Sequence, residues 1–416
     1  MLRQIEGSRA VAESVAACRP EVVCAYPISP QTHIIEAIGV LVKSGALAPC
    51  EFINVESEFA AMSVSIGASA AGARAYTATA SQGLLFMIEA VYNAAGLGLP
   101  IVMTLANRAV GAPINIWNDH SDAMAVRDSG WVQLFAETNQ EAADLHVQAF
   151  RLAEQLSLPV MVCMDGFILT HAVEGIDVPS QSDVDSFLPS YEPRQVLEPA
   201  DPVSIGAMVG PDAFEEVRYL AYLRQLDALE QIPVLAADFA KVFGRQSGGL
   251  VRSYRTDDAE TIIVALGSVL GTIKDAVDRR REVGDRVGVV GITTFRPFPG
   301  DAVREALAGA RRVVVVEKAF SVGFGGVLST DVALTIHDAD CALRTIVAGL
   351  GGRPITRRSL EEMIAAAVRD ELDPLTFLDL DHSVVERERA RMSLARRSGP
   401  SAENMLRDLR TAPRIG

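Results

Sequence analysis

The first half of the chain alternates short apolar runs with stretches of helical period. Residues 7–18 read as an amphipathic helix. The apolar run 22–28 (VVCAYPI) reads as a buried strand, stopped by Ser29-Pro30, and 32–42 is helical again. A short strand at 52–55 ends in Glu56, Ser57 and Glu58 and leads into a helix made almost wholly of Ala, Ser and Gly. A second strand, 73–79, ends in Ser81-Gln82-Gly83, and helical pattern continues over 84–95. Strands follow at 100–105, 131–136 and 159–164, with a helix at 139–156. This alternation predicts α/β architecture with a parallel sheet covered on both faces.

Between 105 and 131 the pattern breaks into a polar stretch rich in Asn, Asp, Arg and Trp, and unstructured loops of that length inside a domain are usually functional. A second α/β pattern covers strands at 261–266, 287–292 and 313–317, helices at 269–283 and 300–308, and a glycine-rich turn at 323–326. The expected organisation is a first domain over 1–172, a linker with a helical segment over 173–256, a smaller domain over 257–370 and a C-terminal arm over 371–416. The helical segment has its period over 214–243. The arm is rich in Arg and Glu from Val384 onward, which suits packing on a partner.

The 416 residues suffice for two or three domains with sizeable cores. A net charge of −15 argues against nucleic acid as a partner. The five cysteines form no CxxC pair, so iron–sulfur clusters or structural zinc held by this chain alone are not expected. The odd, scattered set fits a reducing cytoplasm. The N-terminus carries acids and lacks a signal-peptide core, and no apolar run reaches the roughly 18 residues of a membrane span.

Polar residues at the ends of parallel strands are the candidates for chemistry. Glu58 could serve a buried heterocycle as a carboxylate partner; it could equally be an acid favoured at a helix N-terminus. Ser29, between two prolines, is either a positioned hydroxyl or a turn and cap residue. Arg108, beside Asn107 just past a buried strand, suits a small carboxylate through its planar fork, or else an ion pair with Asp119 or Asp122. Asp119-His120-Ser121-Asp122 has metal-ligand residue types, yet neighbours in one loop seldom converge; a loop network that positions Arg108 is the preferred reading, and no metal is expected on this chain. The glycines at 323–326 and 349–352 lack the GxGxxG spacing and read as turns. Asp165-Gly166-Phe167 reads as a turn as well.

Taken in order, YPISPQT, EFINVESEFAA, TATASQG, NRAVGAPINIWNDHSD, MDGFILTH, SYRTDDAE and FRPFP resemble the alpha subunits of the pyruvate:ferredoxin oxidoreductase (pyruvate synthase) family over about residues 7–356. The resemblance implies a thiamine-diphosphate pyrimidine-binding domain followed by a transketolase C-terminal-like domain. It implies that Glu58 faces the aminopyrimidine, that Ser29, Asn107 and Arg108 hold the substrate, with Ser29 standing where the family usually has Thr, and that Ser29, Pro30, Ser81 and Gln82 line the cofactor. Thiamine enzymes bind diphosphate and Mg2+ through a GDG motif, which this chain lacks. A beta subunit is therefore implied to supply diphosphate and Mg2+ binding, with gamma and delta subunits or fused equivalents, [4Fe-4S] clusters on partners, ferredoxin as acceptor and coenzyme A as co-substrate. The implied activity is the cytoplasmic interconversion of pyruvate, coenzyme A and oxidised ferredoxin with acetyl-coenzyme A, carbon dioxide and reduced ferredoxin. Alternatives are a relative acting on another 2-oxoacid or oxalate, and a non-catalytic scaffold subunit.

Overall fold

The computed structural model describes residues 2–394 and 401–411. Two sheets carry the architecture. The first has seven strands in the order Thr294–Arg296, Val132–Phe135, Val160–Asp165, Ile101–Asn107, Ala75–Thr79, Val22–Ala25, Glu51–Asn54. All neighbours run parallel except the outer pair formed by Thr294–Arg296. Its central strands are buried along their whole length, which is why they read as unbroken apolar runs rather than alternating ones. Helices Gly7–Ala17 and Asn139–Leu156 cover one face, packing Val11, Val15, Leu145 and Phe150 into one core. Helices Glu58–Ala70 and Ile88–Gly96 cover the other, around Met62, Leu84 and Val91.

The second sheet has six strands in the order Leu375–Phe377, Ala342–Val347, Arg312–Glu317, Thr261–Ala265, Val287–Ile292, Val251–Tyr254, of which only the last pair is antiparallel. Its glycine-rich turn has a packing reason. Glu317 Oε2 accepts from the backbone N–H of Val327 (2.7 Å) and Leu328 (2.8 Å), satisfying the start of helix Leu328–Thr335. A side chain at Gly326 would stand 2.0 Å from Glu317 Oε1, so the turn must be glycine there.

Four features differ from the sequence pattern. The helical stretch 84–95 is two helices, Ser81–Phe86 and Ile88–Gly96, broken at Met87. The long polar loop contains a short helix, Ser121–Ala125. Strand Val173–Ile176, in the expected linker, pairs antiparallel with Arg3–Glu6. Strand Leu375–Phe377, in the expected arm, closes the second sheet. The rest of that arm forms helices His382–Leu394 and Ser401–Thr411, joined by Arg391–Asp408 and Arg387–Asp408 ion pairs; residues 395–400 and 412–416 lie outside the described residues. No helix among the described residues is long and apolar enough to cross a membrane.

Candidate active site

Parallel register delivers the carboxyl ends of strands Val22–Ala25, Glu51–Asn54, Ala75–Thr79, Ile101–Asn107 and Val160–Asp165 to one edge of the first sheet. Asn107 ends one of these strands, and Ser29 and Pro30, Glu58, Ser81 and Gln82, and Arg108 follow the strand ends by a few residues. The fold thus brings every candidate to the same edge, where open α/β sheets bind ligands.

Arg108 is tied down without being neutralised. Its Nη1 donates to the Ser29 carbonyl (2.8 Å) and its Nε to the Asn115 carbonyl (3.1 Å). Among the described residues no ion pair engages its guanidinium. The expected alternative, a pair with Asp119 or Asp122, is replaced by contacts of another kind. Asp122 grips the backbone: it accepts from Arg108 N (2.9 Å), Ser81 N (3.0 Å), Asn107 Nδ2 (3.0 Å) and Ala123 N (2.8 Å). This single buried carboxylate staples two strand ends together, which is the loop network expected from the sequence. Burial pushes its carboxyl up to about 6, against the opposing pull of those hydrogen bonds. Burial also lowers Arg108 from its ordinary value, while Asp122 acts the other way. A fixed, desolvated, unpaired guanidinium is an anion site.

Ser29 itself is exposed, and its link to Arg108 runs through its carbonyl rather than its hydroxyl. Pro30 is buried against Gly166, whose missing side chain leaves the room. Ser81 sits in the left-handed region (φ 51°) with its hydroxyl donated to the Ala109 carbonyl (2.5 Å), and Gln82 is half-buried beside it.

Glu58 is buried in the first turn of helix Glu58–Ala70, where Ser57 caps the helix by accepting from Ala60 N (3.2 Å). Its carboxylate lies over Gly83: a Cβ there would stand 2.7 Å from Glu58 Oε1, 2.9 Å from its Cγ and 2.6 Å from Thr79 Oγ1. Among the described residues, Thr79 Oγ1 and Asn107 Oδ1 are buried without a hydrogen-bond partner. Beside the Glu58 carboxylate, these are polar atoms of this edge whose hydrogen-bonding capacity is unused among the described residues. Around them Phe59, Phe86, Ile88 and Tyr92 are exposed, an apolar rim of the kind another chain covers.

The second sheet braces this edge. Asp165 accepts from Ser268 N (3.0 Å), pairs with Lys318 Nζ (3.1 Å) and hydrogen-bonds His120 Nε2 (2.8 Å). Burial alone would raise its carboxyl, yet Lys318 and His120 hold it well below the usual carboxylate range. Asp119 Oδ2 accepts from Gly351 N (3.0 Å), and Asn115 Nδ2 donates to the Gly351 carbonyl (3.0 Å). The polar loop carrying Arg108 is therefore clamped to the second unit at both Asp119–His120 and Asn115. Sequence reasoning left Lys318, Asn115 and Thr79 unassigned and read Asp165 as part of a turn, whereas it ends strand Val160–Asp165. The signal available was their placement, since Asp165, Lys318 and Thr79 each stand at or just past the end of an apolar strand.

Residues 13–233 match the model of the family described as pyruvate flavodoxin/ferredoxin oxidoreductase, thiamine diphosphate-binding, and residues 259–360 match the pyruvate:ferredoxin oxidoreductase core domain II. The chain is 45% identical over 390 residues to pyruvate synthase subunit PorA of Methanosarcina barkeri, covering 92% of this chain and 97% of that one. It is 44% identical to the subunit of the same name from Thermotoga maritima, covering 88% and 95%. Ketoisovalerate oxidoreductase subunit VorA of Pyrococcus abyssi is 39% identical, covering 85% and 90%. Among solved structures, 2-oxoglutarate:ferredoxin oxidoreductase from Magnetococcus marinus superposes with a TM-score of 0.67 at 18% identity, over 88% of this chain and 65% of that one. A split-gene transketolase superposes with a TM-score of 0.53 at 13% identity, over 89% and 100%. These structural likenesses show the fold: α/β units built on parallel-rich sheets, as in the oxidoreductase and transketolase chains.

Proposed function

This chain belongs to the pyruvate flavodoxin/ferredoxin oxidoreductase family, and from that premise we propose that it is the subunit of a pyruvate:ferredoxin oxidoreductase that furnishes the pyrimidine side of a thiamine diphosphate site. The observation that carries this reading is the constellation at one sheet edge: a buried glutamate over a glycine, and a fixed guanidinium that no acid pairs with among the described residues. The residues fit the cofactor. Gly83, having no side chain, lets the Glu58 carboxylate pack directly against its backbone, and Thr79 Oγ1 and Asn107 Oδ1 are buried polar atoms without a hydrogen-bond partner among the described residues.

Bound thiamine diphosphate supplies the nucleophilic carbon and the electron sink for cleaving a 2-oxoacid. Glu58 would face the aminopyrimidine ring and exchange a proton with it, and the missing side chain at Gly83 lets that carboxylate lie where it does. Arg108 binds the substrate carboxylate; the Ser29 and Asn115 carbonyls orient its fork, and Asp122 fixes its backbone. Ser29, Pro30, Ser81 and Gln82 would line the cofactor. The reaction converts pyruvate and coenzyme A to acetyl-coenzyme A and carbon dioxide, with two electrons passing singly to ferredoxin, or runs in reverse.

The chain has no GDG motif, so diphosphate and Mg2+ belong to a beta subunit, and with no CxxC pair the [4Fe-4S] clusters belong to partners too. The apolar rim around Glu58 is where the beta subunit docks. The units over 1–172 and 257–370 are read as the pyrimidine-binding and transketolase C-terminal-like domains, joined by 173–256. The test is methyl viologen reduction by the complex reconstituted from its subunits, with a panel of 2-oxoacids. Pyruvate- and coenzyme A-dependent reduction is expected. Preference for 2-oxoisovalerate would move the chain to the branched-acid members; reduction with no 2-oxoacid would refute the reading.

A further inference from the structure

Three further residues from three elements converge. Glu6 ends strand Arg3–Glu6, His33 stands in the first turn of helix Thr32–Lys43, and His171 follows the turn after strand Val160–Asp165. One potential ligand atom from each lies within 4.8 Å of the others. His33 Nδ1 is 2.7 Å from Glu6 Oε1, and the two imidazoles face each other with centroids 4.5 Å apart. The sequence could not show this set, because its members are separated by 27 and 138 positions along the chain.

We propose that Glu6, His33 and His171 form a binding site for a divalent transition-metal ion of the zinc type. Two imidazoles and one carboxylate are a borderline N/O donor set, which suits zinc or cobalt and does not suit the all-oxygen demands of Ca2+ or Mg2+. The donors are pre-oriented. His171 Nδ1 hydrogen-bonds Thr170 Oγ1 (2.7 Å), and Thr170 Oγ1 in turn accepts from Phe167 N (2.8 Å). With its proton on Nδ1 the ring offers Nε2 as a lone pair, the outer hydrogen bond that metal-bound histidines use. The ion would replace the proton shared by His33 and Glu6. His33 is exposed and Glu6 and His171 are half-buried, so the ion has a way in and its remaining position is open to water or a partner group. The site is also connected. His171 packs on Phe167 (4.8 Å) and Phe167 on Trp117 (4.9 Å), a residue of the loop that carries Arg108. An ion there would lock the start of the chain to that loop.

The test is a titration of the tag-free, chelator-treated full chain with Co2+, followed by the visible d–d absorption, then displacement by Zn2+. Saturation at one Co2+ per chain is expected, with no sulfur-to-cobalt charge-transfer band. His33→Gln and His171→Gln should each weaken binding by at least about 100-fold, beyond what loss of an outer-shell partner costs, with unchanged circular dichroism. Glu6→Gln gives a second route to the same result should a histidine variant fold poorly. Absence of saturable binding, a thiolate band placing the ion on a cysteine, or binding that survives the histidine changes would each overturn the proposal.

Discussion

Gly83→Ala is the sharpest perturbation of the proposed cofactor side. The new Cβ would stand 2.6 Å from Thr79 Oγ1, 2.7 Å from Glu58 Oε1 and 2.9 Å from Glu58 Cγ. Carbon contacts settle at roughly 3.5–4.0 Å, so the Glu58 side chain must move by the better part of an ångström. Overpacking of this kind costs about 1–3 kcal/mol, which the fold survives. A catalytic group displaced by about 1 Å loses about 100-fold in rate. Turnover of the reconstituted complex should therefore fall about 100-fold, comparable to Glu58→Ala, for which loss of an acid–base group predicts at least about 100-fold. The two changes act through one side chain, so they must not multiply. In the Glu58→Ala background, Gly83→Ala should cost little more, the signature of coupled neighbours in a double-mutant cycle. The assay is pyruvate-dependent methyl viologen reduction, with the thermal midpoint as a check on folding. Full turnover in Gly83→Ala, or losses that multiply in the double variant, would refute the placement of Glu58.

Arg108→Ala should lower kcat/KM for the 2-oxoacid by about 100-fold or more, the scale of losing a charge-assisted fork, and leave cofactor affinity largely intact; equal loss of both would make Arg108 structural. Asp122 titrates at about 6 when folded and near 3.8 when unfolded, so its contribution to stability is complete below about 3.8 and is lost as pH rises through 6. That is a fall of about 3 kcal/mol. Asp122→Asn should remove this slope, and parallel stability–pH curves for the two proteins would contradict it. Lys318→Met leaves Asp165 buried beside His120 and Ser268 alone, at a cost of about 3–5 kcal/mol; calorimetry showing an unchanged midpoint would mean that the two units are not braced there.

Much of the candidate site was legible because polar residues sit where strands stop. An apolar run buried on both faces announces itself, and the polar residues just beyond it are few: Ser29, Glu58, Ser81 and Arg108. Helix bounds were equally plain where period and caps agreed, as at Asn139–Leu156, begun by Thr138, whose side chain accepts from Glu141 N, and ended by Ser157 in the left-handed region. What stayed hidden depends on contacts between distant residues. Asp165 looked like a turn residue because Lys318 lies 153 positions away. Asp122 and Asp119 were indistinguishable as loop acids. Only the fold shows that Asp122 binds two strand ends, while Asp119 reaches the Gly351 backbone. The break at Met87 escaped notice since apolar period runs straight through it. The Glu6–His33–His171 cluster has no sequence signature at all.

The claim on which the account rests is that the thiamine site is divided between two chains. The direct measurement is calorimetric titration of thiamine diphosphate, with Mg2+, into this chain, into the proposed beta subunit and into the mixed pair. The account predicts saturable binding of one cofactor per pair in the mixture, none by this chain alone, and weakened binding in the mixture when Glu58 is replaced by Ala. Tight stoichiometric binding by this chain alone, or binding by the pair that ignores Glu58→Ala, would contradict it.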